Sequence, residues 1–220
     1  MQAQPQNYIR ESQAGQIKVF RHDLPEQFHS SVVSAGRVAW DIETNGLDPQ
    51  DSQIGTCQLY VPDVGAFIIT HLANSVPSTL SRLLSDKRVL KVFHHAPFDL
   101  SFMTCAWEVQ SRNVACTKIA AKIIDPSANA EQYSLKYLMA HHFNFRMDKS
   151  IRFSNWLADS LSDSQVEYAI GDVIRLLDLY DLLRSEIANL GLNDLYERAV
   201  DFLPAHVLLL LRGCPDPFKY

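Results

Sequence analysis

Residues 38–49 read VAWDIETNGLDP, an apolar run that ends in two acids, Asp41 and Glu43, and then in turn-forming Asn, Gly, Asp and Pro. In a β-strand, alternate residues face the same side, so both carboxylates project together from the strand end. Like charges held that close repel one another. Either the strand ends in solvated acids, or something positive sits between them.

Working outward, the first half of the chain reads as strands over 17–20, 37–42, 54–61 and 66–70, separated by Gly, Asp, Asn and Pro, with three antiparallel strands coming first. A helix over 79–85 follows Pro77-Ser78, then a buried strand over 89–93, a helix over 97–106, a short strand around Val114 and a helix over 118–124 that stops at Asp125-Pro126. From there the pattern is mostly helical. Ser162 with Gln165, or Ser164 with Glu167, offers a capping box ahead of an apolar-periodic run to Leu190, which Gly191 terminates. A further helix over 192–203 meets Pro204. The packing solution for this order is an α/β fold, a mixed, partly antiparallel central sheet flanked by helices.

The totals narrow the function. With 220 residues and 47% hydrophobic content, the chain can bury one sizeable core, so one domain over 1–220 is expected, with a flexible 1–14 and a C-terminal helical extension over 192–220. Twenty basic residues against 25 acidic give a formal net charge of -5, which does not attract a long polyanion. A nucleic-acid partner must be short or met by a local basic patch. Cys57, Cys105, Cys116 and Cys214 form no CxxC pair, which disfavours a zinc cluster and a disulfide framework and fits reduced thiols in a cytoplasmic protein. The 207–211 apolar run is too short to span a bilayer, so no membrane association is expected.

Two further acids accompany the strand pair. Asp99, in His94-His95-Ala96-Pro97-Phe98-Asp99, falls in the first turn of a helix just beyond an apolar strand, where a dipole-stabilised carboxylate is the bland alternative. Tyr168 and Asp172 lie four apart on one helix face and can address one site together. Taken as a set, Asp41, Glu43, Asp99 and Asp172, with Tyr168, resemble in order and local context the DEDDy subclass of the ribonuclease D-like 3′-5′ exonucleases. The resemblance runs from about Ile17 to Leu190 and implies a ribonuclease H-like exonuclease fold. In length and layout the chain is most similar to the nanoRNase C family, on the strength of Cys116-Thr117-Lys118-Ile119-Ala120, Ser154-Asn155-Trp156 and Phe202-Leu203-Pro204. The Tyr133 to Asp148 region departs from the pattern, and no family residue is carried over there.

The resemblance implies hydrolysis of dinucleotides and very short RNA, with two divalent ions, Mg²⁺ or Mn²⁺, held by Asp41, Glu43, Asp99 and Asp172. Hard oxygen ligands suit both ions, and a pair of ions can clamp the attacking and leaving oxygens of a phosphodiester. Tyr168 is expected to orient the attacking water, since an ordinary phenol titrates near ~10 and is a poor base. Leu47, six residues after Asp41, stands where short-RNA exonucleases resemble one another in having a leucine wedge between bases; a buried turn leucine is the alternative. Thr44, His95, Phe98, Lys118 and Trp156 complete the candidate substrate-binding set, with Arg152 a further candidate for a phosphate. The adjacent histidine pairs His94-His95 and His141-His142 point apart and are not expected to bind metal. The partners implied are short single-stranded RNA and further copies of the chain, as homo-octamers. Competing readings are the same chemistry on longer RNA 3′ ends or DNA, and a noncatalytic nucleic-acid-binding scaffold.

Overall fold

The computed structural model describes residues 7–12, 15–148 and 150–219. Seven strands form one sheet in the order β1-β2-β5-β4-β3-β6-β7, with β1 Tyr8–Ser12, β2 Gly15–Arg21, β3 Arg37–Thr44, β4 Ile54–Val61, β5 Gly65–Thr70, β6 Leu90–Phe93 and β7 Val114–Cys116. The helices are α1 His29–Ala35, α2 Ser78–Ser85, α3 Ala96–Trp107, α4 Thr117–Ile124, α5 Leu135–Phe143, α6 Asp163–Gly171, α7 Leu176–Asn189, α8 Asn193–Asp201 and α9 Leu203–Leu211. The architecture is the expected mixed α/β sheet flanked by helices. Among the described residues, no helix is long and apolar enough to cross a membrane.

The antiparallel meander is β3-β4-β5, whereas β2 pairs in parallel with β5. This corrects the expectation that the first three strands run antiparallel. The reason is α1, which carries the chain away between β2 and β3 and ends at Gly36, whose φ of +70° lets its N–H reach the carbonyls of Val32 and Val33. Two valines and three serines in the seven residues of α1 are poor helix formers, so tertiary packing of buried Val32 decides the segment. The flexible 1–14 expectation is also corrected in part: Tyr8–Ser12 is a strand paired antiparallel with β2, while 1–6 and 13–14 lie outside the described residues.

The second half contains another correction. The expected single helix from about Ser162 to Leu190 is two, α6 and α7, separated by tight turns in which Val173 N–H bonds Ile170 O and Leu176 N–H bonds Val173 O, three residues apart rather than four. At its start, Ser162 and Gln165 form the capping box, one of the two candidates. The helix expected over 192–203 is α8, Asn193–Asp201, and a further short helix, α9, follows it. Pro204 begins no loop but occupies the first turn of α9, where its missing N–H costs nothing. On α8, buried Tyr196 accepts a hydrogen bond from Cys116 N–H at 3.1 Å and donates to Cys116 O at 3.4 Å, pinning α8 to the edge strand β7.

Lys91 in β6 is fully buried, and its ammonium donates to the Asp86 carbonyl at 2.7 Å. Burial pushes its pKa down to about 8. Because the unfolded chain then holds this proton over a range where the folded chain has released it, stability should rise with pH between about 8 and the ordinary lysine value of ~10.4. Denaturant unfolding at pH 7.5, 9 and 10 should show wild type gaining roughly 2–3 kcal/mol relative to Lys91→Met across that window.

Candidate active site

In the β3-β4 ladder Asp41 faces Gln58 and Glu43 faces Thr56, so these four side chains project from one side of the sheet. Trp40 packs on the other, its ring 6.0 Å from Phe93. Thr56 Oγ1 donates to Gln58 Oε1 at 3.2 Å, and Gln58 Nε2 donates to Asp41 Oδ2 at 3.0 Å. Both relay residues are fully buried, and a satisfied buried amide is a rigid one. The register breaks between Glu43 and Thr44, so the two acids occupy the last regular positions of the strand.

The β3-β6 pairing stops at Ala39 opposite Val92, which leaves the far end of β3 uncovered on that side. Asp99 fills the space. His95, in the left-handed conformation at φ +74°, turns the chain from β6 into α3, and Asp99 in the first turn accepts from Ile42 N–H at 3.3 Å. Ile42 lies between Asp41 and Glu43. Asp172, at the C-cap of α6, joins them from the other half of the chain. One carboxylate oxygen each from Asp41, Glu43 and Asp172 lies within 4.8 Å of the others.

Burial first, then the charges of Asp41 and Asp172, pushes the Asp99 carboxyl well above the usual carboxylate range; only 2% of the residue is exposed. Tyr168 is shifted upward by burial, then by Asp172, Glu43 and Asp41, so its hydroxyl keeps its proton. A cluster of hard oxygen donors with mutual repulsion fits a divalent cation of the Mg²⁺ or Mn²⁺ type, which would relieve the conflict that crowding creates. Asp99 stands outside the three-way group.

A groove of about 1010 Å³ is lined among others by Leu47, His95, Phe98 and Lys118; none of the four acids lines it, and Phe98, the chain neighbour of Asp99, connects the two. Leu47 is 72% exposed, which excludes the buried-turn reading. Burial and then Lys122 lower the Lys118 pKa; the His95 imidazole is held below its ordinary range by desolvation and then by Lys118 and Lys122. Thr44 shapes the following turn, its hydroxyl donating to Gly46 O at 2.6 Å. Trp156 requires a correction as a base-stacking candidate. It is only 1% exposed, its indole N–H donates to Arg152 O at 3.0 Å, and its ring lies 5.6 Å from that of Tyr168. The residue buttresses Tyr168 from behind, while Arg152 and Phe153 face solvent with the guanidinium 5.5 Å over the ring. Gln58 was not among the expected site residues. The Gln58-Leu59-Tyr60 stretch belongs to the family resemblance, but the role of Gln58 follows from strand register, which places it opposite Asp41.

Residues 16–188 match the family described as 3′-5′ exonuclease, and the chain belongs to that family. Within it the chain is a DEDDy, ribonuclease D-like exonuclease similar to NrnC: it superposes on Brucella melitensis NrnC with bound Mg²⁺ at TM-score 0.84 and 30% identity, over 93% of this chain and 98% of that one. The same protein bound to pGG gives 0.85 and 31% over the same shares. Ribonuclease D of Haemophilus influenzae is 32% identical over 151 residues, 69% of this chain and 37% of its own length, so the chain spans little more than a third of that curated relative. The Escherichia coli RNase D structure, at TM-score 0.74 and 22% identity over 82% of this chain and 47% of that one, shares the fold.

Carboxylate crowding makes a specific thermal prediction. Without divalent ions, Asp172→Asn should melt about 2–4 °C above wild type, the equivalent of ~1 kcal/mol of relieved repulsion in a chain of this size. Millimolar Mg²⁺ should raise the wild-type melting temperature and leave that of the variant nearly unmoved, as read by differential scanning calorimetry.

Proposed function

We propose that the chain is a metal-dependent 3′-5′ exoribonuclease that hydrolyses dinucleotides and very short oligoribonucleotides to nucleoside 5′-monophosphates. The observation that carries this reading is the approach of Asp41, Glu43 and Asp172 oxygens to within 4.8 Å of one another, together with a groove that has exposed Leu47 on its wall. The pGG bound by the Brucella NrnC, and the net charge of -5, support a short substrate. Asp41, Glu43, Asp99 and Asp172 are the residues that would hold two Mg²⁺ or Mn²⁺ ions; when bound, such ions neutralise charge on the phosphodiester oxygens and acidify water.

The chain's own residues do the rest. Gln58 fixes one oxygen of Asp41, and the Ile42 amide fixes one of Asp99, so the acids present a set geometry before substrate arrives. The protonated Tyr168 hydroxyl, braced by Trp156, orients the attacking water. Water oxygen adds to phosphorus as the bond from phosphorus to the upstream O3′ breaks, and the proton the water gives up is balanced by the one that O3′ takes up, so the terminal nucleotide leaves with its 5′-phosphate. Leu47 separates the two bases, with His95, Phe98 and Lys118 along the groove. A second reading, trimming of longer RNA 3′ ends, draws on the 32% identity to ribonuclease D. A noncatalytic scaffold would gain nothing from acids held in mutual repulsion.

We read residues 1–220 as one exonuclease domain in a cytoplasmic protein, in keeping with its four free cysteines. Exposed Leu195 on α8 and Leu208 on α9 support a homo-oligomer, octameric by the family resemblance. Multi-angle light scattering should give a mass several times the 24.9 kDa of one chain; a monomer would remove this element of the proposal.

The length series decides between substrates. With a 5′-labelled ladder from two nucleotides upward in Mg²⁺ or Mn²⁺, the rate should be highest on the dinucleotide, whereas a rate that climbs with length favours the second reading. Tyr168→Phe should lower kcat by about two orders of magnitude with little change in KM, and Asp172→Asn should abolish turnover. Full binding of short RNA with no turnover at any length would establish the scaffold reading instead.

A further inference from the structure

The loop between β3 and β4 carries Leu47 near its tip, and it is built to hold a shape. Asn45 Oδ1 accepts from Gln53 N–H at 2.7 Å and Asp48 Oδ1 from Gln50 N–H at 2.9 Å. A Cβ on Gly46 would come within 2.3 Å of Ser52 Oγ and 3.1 Å of Ser52 Cβ, so the two arms of the loop pack closely at this position. Two side chains anchor this unit to the rest of the molecule. Gln53 Nε2 donates to Ala73 O at 3.2 Å, close to the sheet. Gln50 Nε2 donates to Leu211 O at 3.0 Å, across 161 residues of sequence.

Leu211 is the last residue of α9, and the final carbonyls of a helix lack partners within it. The chain that follows supplies three: Arg212 N–H reaches Leu208 and Leu209, and Gly213 N–H reaches Leu210. The carbonyl of Leu211 is met by Gln50. The same helix packs along α3, which bears Phe98 and Asp99, and its N-cap Phe202, with His206 and Leu210 on successive turns, lines the groove that also holds Leu47. One element thus walls the groove and ties down the loop that narrows it.

We infer that α9 is a specificity element, and Gln50 a positioning residue, that set the distance between Leu47 and the catalytic acids and so select the second nucleoside of a short oligonucleotide. The inference rests on the reading above in which Leu47 touches substrate. Chemistry at phosphorus is left to the acids and Tyr168; what the tether controls is how well the nucleoside upstream of the scissile bond is held.

The test compares the full-length wild type with Gln50→Ala and Gln50→Glu, the second keeping the size of the side chain while removing its donor. Two substrates are used with Mg²⁺ or Mn²⁺: the dinucleotide pGG, and bis(4-nitrophenyl) phosphate, which has a phosphodiester and no second nucleoside. Both variants should raise KM for pGG roughly three- to tenfold, with kcat for pGG and hydrolysis of the nitrophenyl ester unchanged, as expected for loss of one hydrogen bond. Amide hydrogen exchange should become faster over 45–53 in both. Equal slowing on both substrates, or an unchanged KM for pGG, overturns the proposal, as does unaltered exchange in the loop. If wild type ignores pGG and cleaves only longer RNA, the dinucleotide reading fails by itself, and the same KM split on that RNA, together with the exchange measurement, still decides the role of Gln50.

Discussion

Repulsion among carboxylates is the constraint around which this structure is organised. Asp41 and Glu43 are forced to one side by strand geometry, Asp172 approaches from a helix end, and Asp99 is buried against the backbone between them. Left to itself, such a group would swing apart or take up protons. It is held by the most rigid parts available: the β3-β4 ladder, the Thr56-Gln58-Asp41 relay, and the left-handed turn at His95 that aims the first turn of α3. Order in the sheet is thereby converted into a crowded set of oxygen donors of the kind that suits a divalent cation.

The supporting residues are arranged in layers behind that group. Trp156, Tyr168 and Gln165 illustrate the arrangement: Gln165 closes the capping box with Ser162 and also donates to Ser154 Oγ and Asn155 O, each at 3.1 Å, so the start of α6 and the loop before it are one hydrogen-bonded unit. Trp156 then lies behind the Tyr168 ring.

Much of the site was legible in the sequence because acids in apolar contexts are conspicuous, and because i, i+2 in a strand and i, i+4 in a helix place side chains without knowledge of the fold. Trp156 misled for the opposite reason: an aromatic in a polar loop looks like a surface for a base until the packing shows it turned inward. Gln58, in the Gln58-Leu59-Tyr60 stretch that belongs to the family resemblance, had no role assigned because its importance comes from a partner seventeen residues away in a register that sequence does not specify. The break after α6 was hidden by an apolar period that continues through it, and α1 by residues that favour extended chain. Helix α5 likewise went unassigned within 133–148; its Ser134 cap, accepting from Tyr137 N–H at 3.2 Å, is a weak signal next to the histidines and aromatics around it.

The contact between Tyr196 and Cys116 has a consequence for the molecule in a crowded solution. β7 is the terminal strand on its side of the sheet, only three residues long, and a terminal strand with open backbone groups is a template onto which another chain can add. By occupying both the N–H and the carbonyl of Cys116 with one phenol, α8 closes that template at the C-terminal end of the strand. Extension of the sheet from chain to chain through this end of β7 would first require the Tyr196 contact to open, so the helix that leads into α9 also covers part of the sheet edge.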